Sequence, residues 1–440
     1  MKTLEQLGLR VPQILLPKNI DISSWSVIAC DQYTQDRDYW KKVEENTKNK
    51  ASTLNLILPE VYLNDGDKAQ RIAKIRQTMK SYLDEGIFDK EINGFIYLER
   101  KTAFGRTRKG LIAQIDLESY EWKPFSKANI RATEATIIDR IPPRKEIRKG
   151  APLELPHIML LVNDKDKKLV EGIGQKVNQK EPLYQGQLMS NGGSICGWEV
   201  SSAEEIDYLT HTLNTIAENN TSEDGSTFLF AVGDGNHSLA TAKAVWDEYK
   251  DELIKNGTGE NELKNNPVRY ALIEIVNIYD QGLTFEPIHR VIFNIKSEDL
   301  IKELSQKLQG KCRQVESAQE LEDAVKNSWA NFGFVFKENG KQRYIVMQTQ
   351  IKELAVSRLQ PEIDSFLKNC KDSEIDYIHG SQEVFRLGSQ DKALTILLPP
   401  IAKDSFFDTI NGRGPLPRKS FSMGEADEKR FYLECRKLFS

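Results

Sequence analysis

The chain has 440 residues, 39% hydrophobic and 29% charged, with a formal net charge of −4. That length supports two or three domains with substantial cores, and the near balance of charge excludes a general field that would gather nucleic acid or an anionic membrane, so any anion site must be local. The five cysteines are scattered and form no C-x-x-C pair, which argues against a disulfide framework or a zinc knuckle and for a reducing cytoplasm.

No stretch approaches the ~20 apolar residues of a membrane span, and the N-terminal segment carries Glu5 and Arg10 inside its would-be apolar part, so it does not read as a signal peptide. Residues 25–30 (WSVIAC) read as a strand that ends on Asp31. A carboxylate at a strand end is a common site position in α/β structures, although a turn would use the same residue. A helix follows over 36–49. Residues 54–63 contain Pro59 and read as an extended edge or loop. A second helix is predicted over 67–85, with Ile72, Ile75, Met79 and Leu83 on one face. Residues 94–99 and 110–117 form an antiparallel hairpin.

The stretch 130–148 (IRATEATIIDRIPPRKEIR) places Arg131, Arg140, Arg144 and Arg148 around Glu134 and Asp139, and Pro142-Pro143 prevents one continuous helix. Guanidinium groups clamp planar oxyanions through fixed, forked donors. A surface ion-pair network would use the same residues. Residues 157–162 read as a buried strand, Asn191-Gly192-Gly193 as a turn between strands, and 202–218 as an amphipathic helix with an acidic first turn.

Pattern, turn chemistry and reactive groups coincide over 227–244 (TFLFAVGDGNHSLATAKA). Residues 228–232 suit a strand buried on both faces, Gly233-Asp234-Gly235 stops it, and a helix starts near His237. The first amides of that helix lack intrahelical partners and sit at the positive end of its dipole, which makes the turn a site for phosphate, with Asp234 and His237 at its mouth. The competing reading is a plain helix cap by Asn236 or Asp234.

Residues 252–266 read as a surface loop or linker, and 269–278 and 286–295 as strands, the latter placing His289 and Arg290 at its start, where they suit phosphate or packing alike. From 297 on, the pattern changes to a helix, a hairpin over 332–348 turning at Asn339-Gly340, a helix over 351–370, strands over 375–380 and 394–398, a loop over 412–425, and a closing helix over 425–438. The expected division is 1–296, carrying the strand–turn–helix site, and 297–440 as a C-terminal α+β lobe. P-loop, Rossmann, zincin and hydrolase-elbow motifs are all absent.

Three segments in order resemble one family. VGDGNHSLATAKA resembles the A-D-G-H-H-R-x-x-x-A signature of domain of unknown function (DUF) family 1015, IRATEATIIDRIPPRKEIR its I-x-x-H-E-x-T segment, and EPIHRVIF its P-T-H-R-V strand. Thr133, Asn236 and Ser238 stand where that family usually has His, His and Arg. The signature in turn resembles the phosphate-contacting turn of the ParB, sulfiredoxin and free-serine-kinase superfamily.

The resemblance implies an α+β fold with a ParB/sulfiredoxin-like mixed-sheet core. It also implies a nucleotide (ADP or ATP) with Mg²⁺ as cofactors and a small-molecule substrate, with Asp234, Gly235 and His237 at the phosphate or metal. Gly233, Asn236 and Ser238 complete the cradle, and Arg131, Arg140 or Arg290 with His289 would supply charge that Ser238 lacks. Glu134, with Asp31 behind it, would orient the accepting hydroxyl, and Asp234 would hold the metal.

The leading expectation is nucleotide-dependent phosphotransfer to a small hydroxylated metabolite in the cytoplasm, without nucleic-acid or membrane partners and with a homo-oligomer allowed. A nucleotide- or phosphometabolite-binding protein without turnover and a metal-dependent hydrolase using Asp234, His237 and Glu134 remain alternatives.

Overall fold

A computed structural model of the chain describes residues 1–89, 91–135 and 141–439. By their contacts these residues fall into two units, Met1–Leu283 with Gly424–Ser440, and Thr284–Met423. Both mix helices with sheets, so the fold is α+β.

The first unit is built on a ten-stranded mixed sheet. In chain order its strands are β1 (Leu9–Arg10), β2 (Phe95–Lys101), β3 (Thr107–Asp116), β4 (Tyr120–Glu121), β5 (Ile130–Ala132), β6 (Met159–Val162), β7 (Tyr184–Gln187), β8 (Ser194–Val200), β9 (Phe230–Asp234) and β10 (Tyr270–Asn277). They lie in the order β7-β8-β2-β3-β10-β6-β9-β5-β4, with β1 beside β3. The hairpin read from the sequence is the antiparallel β2–β3 pair. Every residue of β10 is buried, as expected of a strand covered on both faces.

The longer helices described in this unit are α1 (Arg37–Thr47), α2 (Lys68–Asp84), α3 (Ile141–Arg148), α4 (Val170–Val177), α5 (Ala203–Asn219) and α6 (Asn236–Lys255). On one sheet face Ile173 of α4, Leu213 of α5 and Trp246 of α6 pack with Tyr97, Ala113 and Ile273. On the other, Val43 of α1 and Ile75 of α2 pack with Ile96, Ile112, Leu272 and the apolar residues Phe431, Leu433 and Cys435. Pro142 and Pro143 fall in the first turn of α3, where a missing N–H costs no hydrogen bond. Helix α5 opens with the Ser202–Glu205 capping box.

Four readings need correction. Residues 25–30 are not a strand: the helical turn Ile22–Trp25 comes first, and Ile28 makes an isolated bridge to Phe431. The stretch 54–63 is not an extended edge but a loop holding two 3-10 turns, Thr53–Leu56 and Glu60–Tyr62. The stretch 252–266 is the end of α6 and a further helix, Glu260–Asn265.

The closing helix is absent, which is the largest of the four. Residues 430–436 run extended and buried, with backbone bonds from Ala29 N to Arg430 O (2.9 Å), Tyr432 N to Val27 O (2.9 Å) and Cys435 N to Leu15 O (3.0 Å). The residues alternate, with Arg430, Tyr432, Glu434 and Arg436 between Phe431, Leu433 and Cys435. That period of two fits an extended chain and cannot form one apolar helix face.

The extended run is held by ions beneath the sheet. Glu274 on β10 lies between Arg108 (3.3 Å) and Arg430 (2.7 Å), all almost fully buried. Burial alone would raise the Glu274 carboxyl, but Arg108 and Arg430 together hold it below the ordinary glutamate range. Arg430 also pairs with Glu434, whose other oxygen accepts from the Tyr184 hydroxyl at 2.6 Å. Glu154 is shared between Arg148 and Arg436, each at 2.6 Å.

In the second unit the strands β11 (His289–Phe293), β12 (Lys311–Val315), β13 (Phe332–Glu338), β14 (Lys341–Gln348), β15 (Glu374–Ile378) and β16 (Ala393–Leu397) form a sheet in the order β12-β14-β13-β16-β11-β15. The β13–β14 hairpin turns on Asn339 and Gly340 with φ of 49° and 77°, the left-handed pair a tight hairpin requires. A helix over Lys403–Arg413, absent from the sequence reading, precedes the 412–425 segment, which contains the short strand Phe421–Met423.

Candidate functional site

The strand–turn–helix is present, with β9 ending at Asp234 and α6 starting at Asn236. The register against β6 shifts between Val232 and Asp234, so Gly233 is the extra residue of a bulge. Gly235 has φ of +82°, and a Cβ there would stand 3.0 Å from Ile158 Cγ1 and 3.1 Å from its Cα. Glycine is therefore required twice over, by the left-handed conformation and by the close approach.

The cap position falls on neither Asp234 nor Asn236. Gly235 is the cap residue, and no side chain of it closes the first turn. The Asp234 carboxylate accepts from the Gly235 N–H at 3.0 Å, and Asn236 turns sideways, accepting from Thr133 N–H and donating to Thr133 Oγ1, both at 3.2 Å. Asn236 thus ties the end of β5 to the start of α6, which are neighbours because β5 runs parallel to β9.

Strand β6 runs antiparallel to β9 with Met159 opposite Asp234, so His157, two residues before Met159, arrives at the turn. Its Nε2 lies 2.9 Å from Ser238 Oγ and 3.8 Å from Asp31 Oδ2. Its Nδ1 lies 2.7 Å from the Tyr432 hydroxyl, which also accepts from Cys30 N–H at 3.2 Å. A serine hydrolase triad would put a carboxylate on Nδ1. Here tyrosine holds Nδ1, and the carboxylate and the serine share the Nε2 side.

Lys429 completes the cluster, its Nζ 3.2 Å from Asp234 Oδ2. Its backbone is clamped: Arg108 donates to Glu428 O at 2.6 Å, and Arg100 donates to the carbonyls of Asp427 and Lys429. The buried ion network therefore aims a lysine at the turn. Burial would raise the Asp31 carboxyl, but His157, the hydrogen bond from Gln32 and then Lys429 reverse that and leave it below the ordinary aspartate range. Glu60 behaves oppositely. Burial raises it, Arg144 opposes and Asp31 reinforces, and the net shift is upward even though Arg144 Nε donates to it at 2.9 Å.

Behind His157, Ser238 and Tyr432 opens a cavity of about 140 Å³, walled by Leu56, Leu58, Met79, Ile147, Leu153 and Leu155 among others.

The predicted site residues divide by location. Gly233, Asp234, Gly235, Asn236, His237, Ser238 and Asp31 are at or beside the turn, and Glu134 stands one residue beyond Thr133 at the same sheet end. Arg131 points the other way along the strand: its guanidinium stacks 4.5 Å from the Phe228 ring and donates to Ala128 O at 2.8 Å. Arg140 and Asp139 lie outside the described residues.

His289 and Arg290 belong to the second unit. His289 Nδ1 accepts from Leu398 N–H at 3.1 Å, and burial pushes the imidazole down to about 3. Arg290 donates to Gln360, Ile288 O and Lys419 O. His157, Tyr432 and Lys429 were not singled out from the sequence.

Among the described residues no three His, Cys, Asp or Glu side chains gather as a metal site would require, and no helix is long and apolar enough to cross a membrane.

A search of curated proteins returned no match. Among solved structures the chain is similar to a mutant free serine kinase in complex with AMP (8% identity, TM-score 0.38, covering 74% of this chain and 92% of that one). A conserved hypothetical protein from Pyrococcus furiosus is similar at 10% identity and TM-score 0.34, over 74% and 95% of the two chains. SbnI with a C-terminal truncation from Staphylococcus aureus is similar at 7% identity and TM-score 0.35, over 71% and 82%. The family resemblance read from three segments extends across residues 13–366, and the chain belongs to the family described as protein of unknown function (DUF1015).

Proposed function

We propose that this chain transfers a phosphoryl group from a nucleotide to the hydroxyl of a small metabolite. The observation that carries the reading is the convergence of Asp31, His157, Ser238 and Lys429 on the start of α6. Phosphoryl transfer asks a protein chiefly for positioning and for neutralisation of charge. The first amides of α6 and the Lys429 ammonium are the donors for the phosphate oxygens. Lys429 takes the part for which Arg131, Arg140 or Arg290 was expected.

Asp31, held below the ordinary aspartate range by His157, Gln32 and Lys429, orients the acceptor hydroxyl and takes its proton, with Tyr432 holding the His157 ring beside it. Asp31 thus replaces Glu134 as the first choice for this role. The acceptor oxygen forms a bond to phosphorus as its proton passes to the Asp31 carboxylate. The bond from phosphorus to the bridging oxygen breaks, and its electron pair leaves on the departing nucleotide. Asp234 is already neutralised by Lys429, so these residues do not fit a resident Mg²⁺, and the metal-hydrolase alternative gains no support from the described residues.

The test is product formation from ATP or ADP with a panel of hydroxylated metabolites, followed for the wild type and Asp31→Asn. Loss of a positioned acid–base group costs roughly 10²–10⁴ in rate, so Asp31→Asn should lose turnover by that factor and still bind nucleotide. Nucleotide binding without product from any acceptor would instead favour the non-catalytic binding protein.

A further inference from the structure

The cavity behind His157 lies next to the reacting groups but does not resemble a site for a fully polar metabolite. Its wall is dominated by Leu56, Leu58, Met79, Ile147, Leu153 and Leu155. The two cationic side chains on that wall are each committed to a carboxylate of the same wall: Arg144 to Glu60 and Arg148 to Glu154. Arg148 shares Glu154 with Arg436, so the charge of the wall is nearly but not fully matched, and the apolar residues set the character of the cavity. The hydroxyl-handling groups Ser238, His157 and Tyr432 all stand at one side of it. Dry apolar cavities near this volume accept a molecule about the size of benzene.

From this we infer that the acceptor is an alcohol with a compact, uncharged apolar body, branched aliphatic or aromatic, seated in the cavity with its hydroxyl directed at His157 and Asp31. The inference rests on the phosphotransfer reading and names its acceptor class. An acceptor whose remaining groups are all ionic or hydroxylated would leave the apolar wall wet and its own polar groups unpaired, and both effects oppose binding. An added methylene in a fitted apolar pocket is worth about tenfold or more in discrimination.

The experiment uses the full chain and two filled-cavity variants, Ala151→Leu and Leu155→Phe, each first checked for a cooperative melt. Ala151 and Leu155 line the cavity and make no part of the reacting cluster. Thermal melts are recorded with benzyl alcohol and 3-methylbutanol as apolar-bodied probes, with serine and glycerol as polar ones, and separately with ADP and ATP.

The expected result is a saturable rise in melting temperature with the apolar-bodied alcohols only. It should be about tenfold weaker in at least one filled variant, while the nucleotide response stays at the wild-type level. If nucleotide binds but the apolar-bodied alcohols give no saturable rise, or the folded variants respond to them as the wild type does, the acceptor class is wrong and phosphotransfer stands. If the alcohols bind and no nucleotide does, the phosphotransfer reading fails and the acceptor assignment falls with it.

Discussion

Two charged regions of the first unit use the same residue types to opposite ends. Under the sheet, Arg108, Glu274, Arg430 and Glu434 are almost fully buried and matched ion for ion, and the Glu274 carboxyl is held low by the arginines on either side. At the turn, Asp31, Glu60, His157 and Lys429 are closer to solvent and less evenly matched, and two neighbouring carboxyls shift apart: Asp31 down and Glu60 up. A buried ion set that is fully paired behaves as scaffold. One whose members pull each other's proton affinities apart retains the capacity to move a proton. The two meet in the segment 427–432, where the scaffold grips the backbone and the site takes the Lys429 and Tyr432 side chains.

The comparison is broken most severely on the scaffold side. Arg430→Met removes the cation shared by Glu274 and Glu434 and leaves buried charge uncompensated, which costs about 3–5 kcal/mol. Urea unfolding should show a loss of about that size, and a loss well under about 1 kcal/mol would mean that the network does not frame the 427–436 segment. Next in size is Gly235→Ala at the turn. A left-handed conformation costs a non-glycine residue about 1–2 kcal/mol, and the contact with Ile158 adds to it. An unchanged melting temperature would contradict the tight turn.

The smallest effect, and the one that sharpens the contrast most, is on pH dependence. A carboxyl raised in the folded state, as Glu60 is by burial and Asp31, binds its proton more tightly folded than unfolded. Its favourable contribution is full below the ordinary glutamate value of about 4.3 and is lost as pH rises through the folded value. Glu274 contributes in the other sense, present above the ordinary value and lost as pH falls through its lowered one. Melts followed upward from about pH 4 should therefore show the wild type losing ground to Glu60→Gln. Parallel curves would mean that Glu60 is not raised.

How much of this was legible in the sequence depended on how local the signal was. The strand–turn–helix could be read because 228–232, the glycines and the helix lie within eighteen residues, and the turn chemistry of Gly235 is written in the chain itself. Asp31 was found although residues 25–30 are not the predicted strand, since the segment pairs with Phe431 far along the chain. His157 looked like the first residue of a buried strand, and only the antiparallel pairing of β6 with β9 brings it to Ser238. Lys429 and Tyr432 were hidden inside a predicted helix. The period-two alternation of 430–436 was the available signal, but its meaning depends on buried ionic partners more than 150 positions away, such as Glu274, which sequence periodicity does not register.

In the proposed mechanism Lys429 and the start of α6 form the phosphate cradle, and the decisive measurement is nucleotide titration of the wild type against Lys429→Met. A hydrogen bond to a charged group contributes about 1.5–3 kcal/mol, so ADP or ATP should bind the wild type more than about tenfold tighter than a Lys429→Met protein that melts normally. Equal affinity in the two proteins, or no binding of either nucleotide to the wild type, would contradict it.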